Sequence, residues 1–225
     1  MKLCLSQIRM YKRMLQSILK IGLPAGFEAI MYSISNIIVQ VSINNFGVDT
    51  MAAWTAYSKI DFIFWMINSA FGISVMTFVG QNYGAGKWDR IRRGTKICLG
   101  MALISAVFVS IILMSAERFL FGIFVNDAGV VEIGIHMMNV IAPAYLLFAF
   151  IEVFSGALRA QGAVVVSTLI TMVGICVLRM IWVTLVAAHG TLEQVIICYP
   201  ITWAAGALAM SIYYIYKQRK IFQAR

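Results

Sequence analysis

Four ionisable side chains stand where a charge is costly: Glu28, Asp61, Glu152 and Arg179 each interrupt a long apolar run. On insertion scales such a residue costs about 2.5–3.5 kcal/mol at the centre of a membrane helix, so each requires a partner or a function. A carboxylate withdrawn from water can exchange a proton, or attract sodium or a cationic ligand. The alternative is mutual neutralisation, with Arg179 paired to Glu152 or Asp61 inside a helix bundle. His136 is a weaker candidate because it falls near the end of its run. Glu28 also opens a series: Glu28, Tyr32, Asn36, Gln40 and Asn44 follow at steps of four residues. That spacing stacks neighbours along one helix face, and a polar stripe led by an acid suits a face turned to a cavity. Helix packing is the competing reading, since Ser, Asn and Gln also link membrane helices, for about 1 kcal/mol or less each.

Enzyme chemistry has no comparable signal. There is no H-E-x-x-H, no G-x-S-x-G and no Walker loop, and the sequence holds two histidines. Cys4, Cys98, Cys176 and Cys198 stand alone without a C-x-x-C or His-spaced set. They read as small packing residues rather than a metal site or a disulfide framework. No cofactor is expected.

The elements that must position these residues follow from composition. The chain of 225 residues is 61% hydrophobic and 12% charged, against roughly 25% charged residues in soluble domains. A bilayer core of about 30 Å needs about 20 helical residues. Six stretches meet that length, at about 16–44, 51–79, 97–116, 130–158, 164–188 and 192–216. No period-2 alternation supports a β-barrel. The fold class is therefore all-α, a polytopic membrane protein with six transmembrane helices in one unit over 16–216. Residues 1–20 carry Cys4, Ile8, Tyr11, Leu15 and Ile18 on one helical face and Lys2, Arg9, Arg13 and Lys20 on another. This pattern predicts an amphipathic interfacial helix. A signal peptide fits less well, because the apolar run is long and contains Glu28. A short basic tail is expected over 217–225.

The spans are separated by polar turns. The segment Val79-Gly80-Gln81-Asn82-Tyr83-Gly84-Ala85-Gly86-Lys87 is expected to stop a helix, since glycine tolerates positive φ. A second turn is expected at Gly156-Ala157-Leu158-Arg159-Ala160-Gln161-Gly162, and Pro143 is expected to kink the fourth span. Of the 18 Lys and Arg residues, all but Lys59, Arg118 and Arg179 fall on the side that holds both termini. The positive-inside rule then places both termini in the cytoplasm of a cell (plasma) membrane, the inner membrane of a bacterium. A basic balance distributed in this way reports topology and no nucleic-acid partner.

These turns resemble a known family. Gly80-Gln81-Asn82 with Gly84-Ala85 is similar to the G-Q-N-x-G-A turn of multidrug and toxic compound extrusion (MATE) transporters. Gly22-Leu23-Pro24-Ala25-Gly26 resembles the opening of that family's seventh helix, and Gly156-Ala157-Leu158-Arg159 with Gly162 the turn after its tenth. Arg179 resembles an arginine common in its eleventh. The order and spacing hold across essentially the whole chain. The resemblance implies the C-terminal lobe of a twelve-helix protein built from two six-helix lobes. The first-helix aspartate that many members use for proton coupling is absent here. In the NorM-type branch a glutamate and an aspartate occupy positions that match Tyr32 and Phe148 here, one helical turn from Glu28 and Glu152 on the same faces.

The resemblance implies secondary active efflux of organic, often cationic compounds in antiport with H+ or Na+. Glu28, Glu152 and Asp61, together with Tyr32, Asn36, Gln40 and Arg179, are the candidates to bind the ion or the substrate. The turn residues Gly80, Gln81, Asn82, Gly84, Ala85, Gly156, Arg159 and Gly162 are expected to be structural. The expected partners are the lipid bilayer, small organic substrates, and a second six-helix lobe or a second copy of the chain. Two other readings stay open: a lipid-linked oligosaccharide flippase or polysaccharide exporter, and a non-transporting truncated or accessory membrane subunit.

Overall fold

A computed structural model describes residues 11–186 and 190–223. Within them the apolar runs form helices throughout: α1 (Lys12–Asn44), α2 (Val48–Gly84), α3 (Trp88–Ser115), a short α4 (Glu117–Gly122), α5 (Ala128–Ile141), α6 (Tyr145–Ala160), α7 (Val164–Thr171), α8 (Leu178–Leu185), α9 (Leu192–Ile196) and α10 (Cys198–Gln223). Six helical runs among the described residues are long and apolar enough to cross a membrane: α1, α2, α3, α5–α6, α7–α8 and α9–α10.

Local sequence explains the joints. Pro143 lacks an N–H, so the ladder between α5 and α6 narrows to a 3₁₀ turn at Ala142–Ala144. The fifth span widens instead, to a π-helical turn at Met172–Val177 between α7 and α8. There Gly174 lies so close to Gly206 that a Cβ would come within 3.2 Å of the Gly206 Cα. At α5 the Asp127 carboxylate caps the helix, accepting from the backbone N–H groups of Gly129 at 2.8 Å and Val130 at 3.1 Å. Thr191 and Gln194 form a reciprocal capping box at α9.

The most buried span is α5–α6. Its α6 half packs against α2, α3 and α10. Where α6 crosses α2, Gly156 meets Gly72, and a Cβ on Gly156 would stand 2.7 Å from the Gly72 carbonyl oxygen. Farther along the same crossing, Phe64 stacks on Tyr145 at 3.8 Å, and Trp203 of α10 closes the cluster edge-on to Phe148 at 5.4 Å.

Several boundaries differ from expectation. The helices overrun the apolar windows, because composition marks the bilayer core while backbone hydrogen bonding continues into the interface. α2 has 37 residues, about 56 Å at 1.5 Å per residue, well beyond a core of about 30 Å. Gly80, Gln81, Asn82 and Gly84 accordingly belong to α2 and not to a turn. Asn82 is buried, and its side chain donates to the Phe78 carbonyl at 2.8 Å. The chain reverses at Ala85–Lys87, where Gly86 takes φ +68° and the Lys87 N–H returns to the Asn82 carbonyl at 2.9 Å. Likewise Gly156 and Arg159 are helical, and the turn is made at Gly162 with φ +80°. Residues 12–20 continue directly into the first span as α1 instead of forming a separate interfacial helix, for no residue there interrupts the ladder. Residues 1–10 of that expected helix lie outside the described residues. The expected tail is helical to Gln223, and Lys217 and Gln218 tie it to the α6–α7 turn through the Gln161 carbonyl and side chain, each at 2.9 Å.

Candidate functional site

Two cavities lie along the polar stripe of α1. The first, of about 360 Å³, opens in the half of the lobe that holds the α2–α3 and α6–α7 turns, here the basic end. Glu28 and Tyr32 of α1, Asn68 and Gly72 of α2, and Phe148, Glu152 and Arg159 of α6 line it. The two acids singled out in the sequence therefore face one space, as do the Tyr32 and Phe148 positions one turn away.

The acids are held differently. Glu28 is 8% exposed and forms an ion pair in which one Arg159 nitrogen, Nη2, donates to both carboxylate oxygens at 2.7 Å. Thr168 of α7 adds a hydrogen bond at 3.0 Å. This contact joins α1, α6 and α7, and it gives Arg159 a role that its place in a turn motif concealed. Glu152 forms no hydrogen bond or ion pair among the described residues. Its side chain lies against Gly72, where any Cβ would collide with the carboxyl end, and the charges acting on it are those of Arg159 and Glu28. Two carboxylates thus share one guanidinium, leaving one negative charge to be balanced when both acids are ionised. The Asn68 amide nitrogen, buried in the same wall, has no hydrogen-bond partner among the described residues.

The second cavity, of about 300 Å³, occupies the opposite half. Asn36, Gln40, Tyr57, Asp61, Tyr199 and Trp203 line it, and Trp65 borders both cavities. Asp61 accepts hydrogen bonds from the Trp65 indole at 2.6 Å and from the Tyr145 hydroxyl, which itself lies 3.3 Å from the Tyr57 hydroxyl. Its neighbours are neutral donors, so the alternative of a pairing with Arg179 does not hold. Arg179 is 2% exposed, donates to the Asn36 side-chain oxygen at 3.2 Å and lies 4.2 Å over the Tyr199 ring. An amide and an aromatic face are the neutral partners that a buried guanidinium accepts. Gln40 bonds Asn44 within the stripe at 2.8 Å. His136 and Lys59 are exposed.

The structure thus splits the candidates into two groups: Glu28, Tyr32 and Glu152 at the basic end, and Asn36, Gln40 and Asp61 beyond Trp65, with Arg179 bonded to Asn36. Sequence reasoning missed the pairing role of Arg159, together with Thr168, Trp65 and Asn68. For Arg159 a signal existed: it follows Glu152 by seven residues and so shares its helix face.

Six spans arranged in one lobe around polar intramembrane cavities define a multi-pass membrane protein. The chain belongs to the MatE family, whose model matches residues 24–185. A similar relative is the probable multidrug resistance protein YoeA of Bacillus subtilis, 26% identical over 220 residues, covering 95% of this chain and 47% of that one. Multidrug and toxin extrusion protein 1 of Homo sapiens is 22% identical over 158 residues, covering 68% of this chain and 28% of its own. Among solved structures, an outward-facing multidrug resistance MATE family transporter superposes with a TM-score of 0.87 at 16% identity, covering 98% of this chain and 50% of that one. The chain spans about half the length of YoeA and of that solved transporter, and a smaller share of the human protein.

Proposed function

We propose that this chain is the C-terminal lobe of a cation-coupled multidrug efflux transporter, with the coupling ion bound in the basic-end cavity. The observation that carries this reading is the convergence of Glu28, Glu152 and Arg159 on one cavity with an unbalanced negative charge. One proton or one sodium ion at Glu152 neutralises the set, and organic cations compete for the same charge. Export by alternating access then needs a second lobe, either a separate first lobe or another copy of this chain. The lysine and arginine distribution supports a plasma-membrane protein with both termini in the cytoplasm. The flippase reading is weaker, because phosphate headgroups need free bases, whereas Arg159 and Arg179 are already bonded to Glu28 and Asn36.

The test is drug accumulation in an efflux-deficient bacterium that expresses the chain alone or beside a matching first lobe. Efflux is expected in at least one setting, and Glu152→Gln is expected to abolish it. Well-inserted protein that gives no efflux in either setting would overturn the transport reading. Efflux unchanged by Glu152→Gln would overturn the ion site.

A further inference from the structure

A pocket outside both cavities has the chemistry of a lipid headgroup site. It lies at the basic end between α3 and α10, has a volume of about 290 Å³, and is lined by Arg92, Lys96, Tyr214, Ile215, Gln218 and Arg219. Its position follows from helix length. α3 has 28 residues, about 42 Å, so with a core of about 30 Å its first turns, carrying Arg92 and Lys96, stand at headgroup depth. Gln218 and Arg219 reach the same level from the last turns of α10. Because α6 packs on both α3 and α10, the two helices flank it and leave a groove between them. Farther into the membrane span both helices carry exposed apolar side chains, Ile104 and Val107 on α3 and Leu208 and Ile212 on α10.

The interior is organised as well as basic. Tyr214 is 7% exposed and stacks on Phe154 of α6 at 4.5 Å, which fixes its ring. Its hydroxyl is buried near Thr95 and Arg92 without a hydrogen bond of ordinary geometry, and the Thr95 hydroxyl donates to the Ile91 carbonyl at 2.9 Å. Gln218 is held by Gln161 at 2.9 Å. A buried hydroxyl with donor capacity, a fixed amide and three cationic side chains thus converge on one pocket, and no carboxylate among the described residues lines it.

We propose that this pocket binds the phosphate headgroup of an anionic phospholipid, with the acyl chains lying in the groove between α3 and α10. The proposal stands apart from the transport reading, because none of its residues lines either cavity. Basic pockets between membrane helices at the interface are suited to anionic headgroups, and each Lys or Arg near the surface contributes a several-fold gain in affinity. The apolar walls distinguish a lipid from a free anion.

Native mass spectrometry of the full chain in detergent, supplemented with phosphatidylglycerol, phosphatidylcholine or inorganic phosphate, tests this. Phosphatidylglycerol is expected to be retained about tenfold more tightly than phosphatidylcholine. The triple variant R92Q/K96Q/R219Q should abolish that preference, while K87Q/R90Q/R93Q, which removes equal charge from the neighbouring turn, should keep it. Tyr214→Phe preserves the ring stack and all charge, and should weaken phosphatidylglycerol retention by a few-fold. Equal losses in the two triple variants would overturn the pocket in favour of diffuse attraction. Inorganic phosphate displacing the lipid at equal concentration would overturn it in favour of a free-anion site, and an unchanged preference in R92Q/K96Q/R219Q would overturn it outright.

Discussion

The two cavities along α1 each contain an intramembrane acid chemistry, yet they stabilise charge by opposite means. At the basic end the Glu28 carboxylate is matched by a full positive charge, Arg159, brought from another helix. Beyond Trp65 the Asp61 carboxylate is surrounded by neutral donors, the Trp65 indole and the Tyr145 hydroxyl, backed by Tyr57. With Arg159 bonded to Glu28, the second carboxylate of that cavity, Glu152, is left with a charge that an added cation can balance. A site of neutral dipoles holds its acid through hydrogen bonds and brings no opposite charge to it. The difference supports our proposal that the coupling ion binds in the basic-end cavity. It also identifies the opposite half as an aromatic-walled space whose acid organises Trp65 and Tyr145.

Breaking the ion pair tests that contrast most severely. Arg159→Gln leaves Glu28, 8% exposed, without its counter-charge. A fully buried pair broken from one side loses about 3–5 kcal/mol. The Arg159 side chain is 29% exposed, so the expected loss is about 2–3 kcal/mol, read by equilibrium unfolding in mixed micelles. The double variant E28Q/R159Q removes both charges and should recover to within about 1 kcal/mol of the parent. A double variant as unstable as the single one would mean that Arg159 supports the fold through packing alone, and the two cavities would no longer differ in kind.

The glycine crossing of α2 and α6 sharpens the comparison at smaller magnitude. A Cβ at Gly156 would meet backbone, 2.7 Å from the Gly72 oxygen, and the Val75 Cγ1 at 2.9 Å. Neither can yield without separating the helices, so Gly156→Ala is expected to destabilise by about 1–3 kcal/mol. A Cβ at Gly72 instead meets the end of the Glu152 side chain, which can rotate away. Gly72→Ala should therefore cost about 1 kcal/mol or less while displacing the carboxylate from its place in the cavity. The same unfolding titration separates the two. Equal losses would mean that Glu152 is clamped rather than free to answer an ion.

Much of this was legible in sequence, and the illegible part has a physical cause. A helical chain crosses a bilayer in long apolar runs, so the six spans follow from composition, and the four-residue stripe faces the two cavities from Glu28 to Gln40. Helix ends were less legible, because Gly80 to Gly84 remain helical where the interface tolerates polar residues. The π turn at Met172–Val177 arises in a run with no polar signal, where Gly174 must fit against Gly206. Partners were least legible. Arg159 read as part of a turn, and its bond to Glu28 depends on how α1 and α6 approach each other. For Arg179 the sequence left open a pairing with a carboxylate, whereas the packing offers it an amide and an aromatic face.

The smallest effect lies in the opposite cavity, where the acid and its donors form a short chain. Tyr145→Phe removes one donor from Asp61 but leaves the ring stacked on Phe64, so packing is conserved. Asp61→Asn keeps one oxygen to accept a bond and removes the charge. Each single change should destabilise by about 1 kcal/mol, the net worth of one hydrogen bond. Because both act on the same contact, the double variant should lose less than the sum by about 0.5–1 kcal/mol. Strict additivity would show that Asp61 and Tyr145 act independently. A coupling as large as that of the Glu28–Arg159 pair would show that the neutral chain supports its charge as strongly as an ion pair does. That result would erase the distinction between the two halves, because the only remaining difference would be which side chains supply the field.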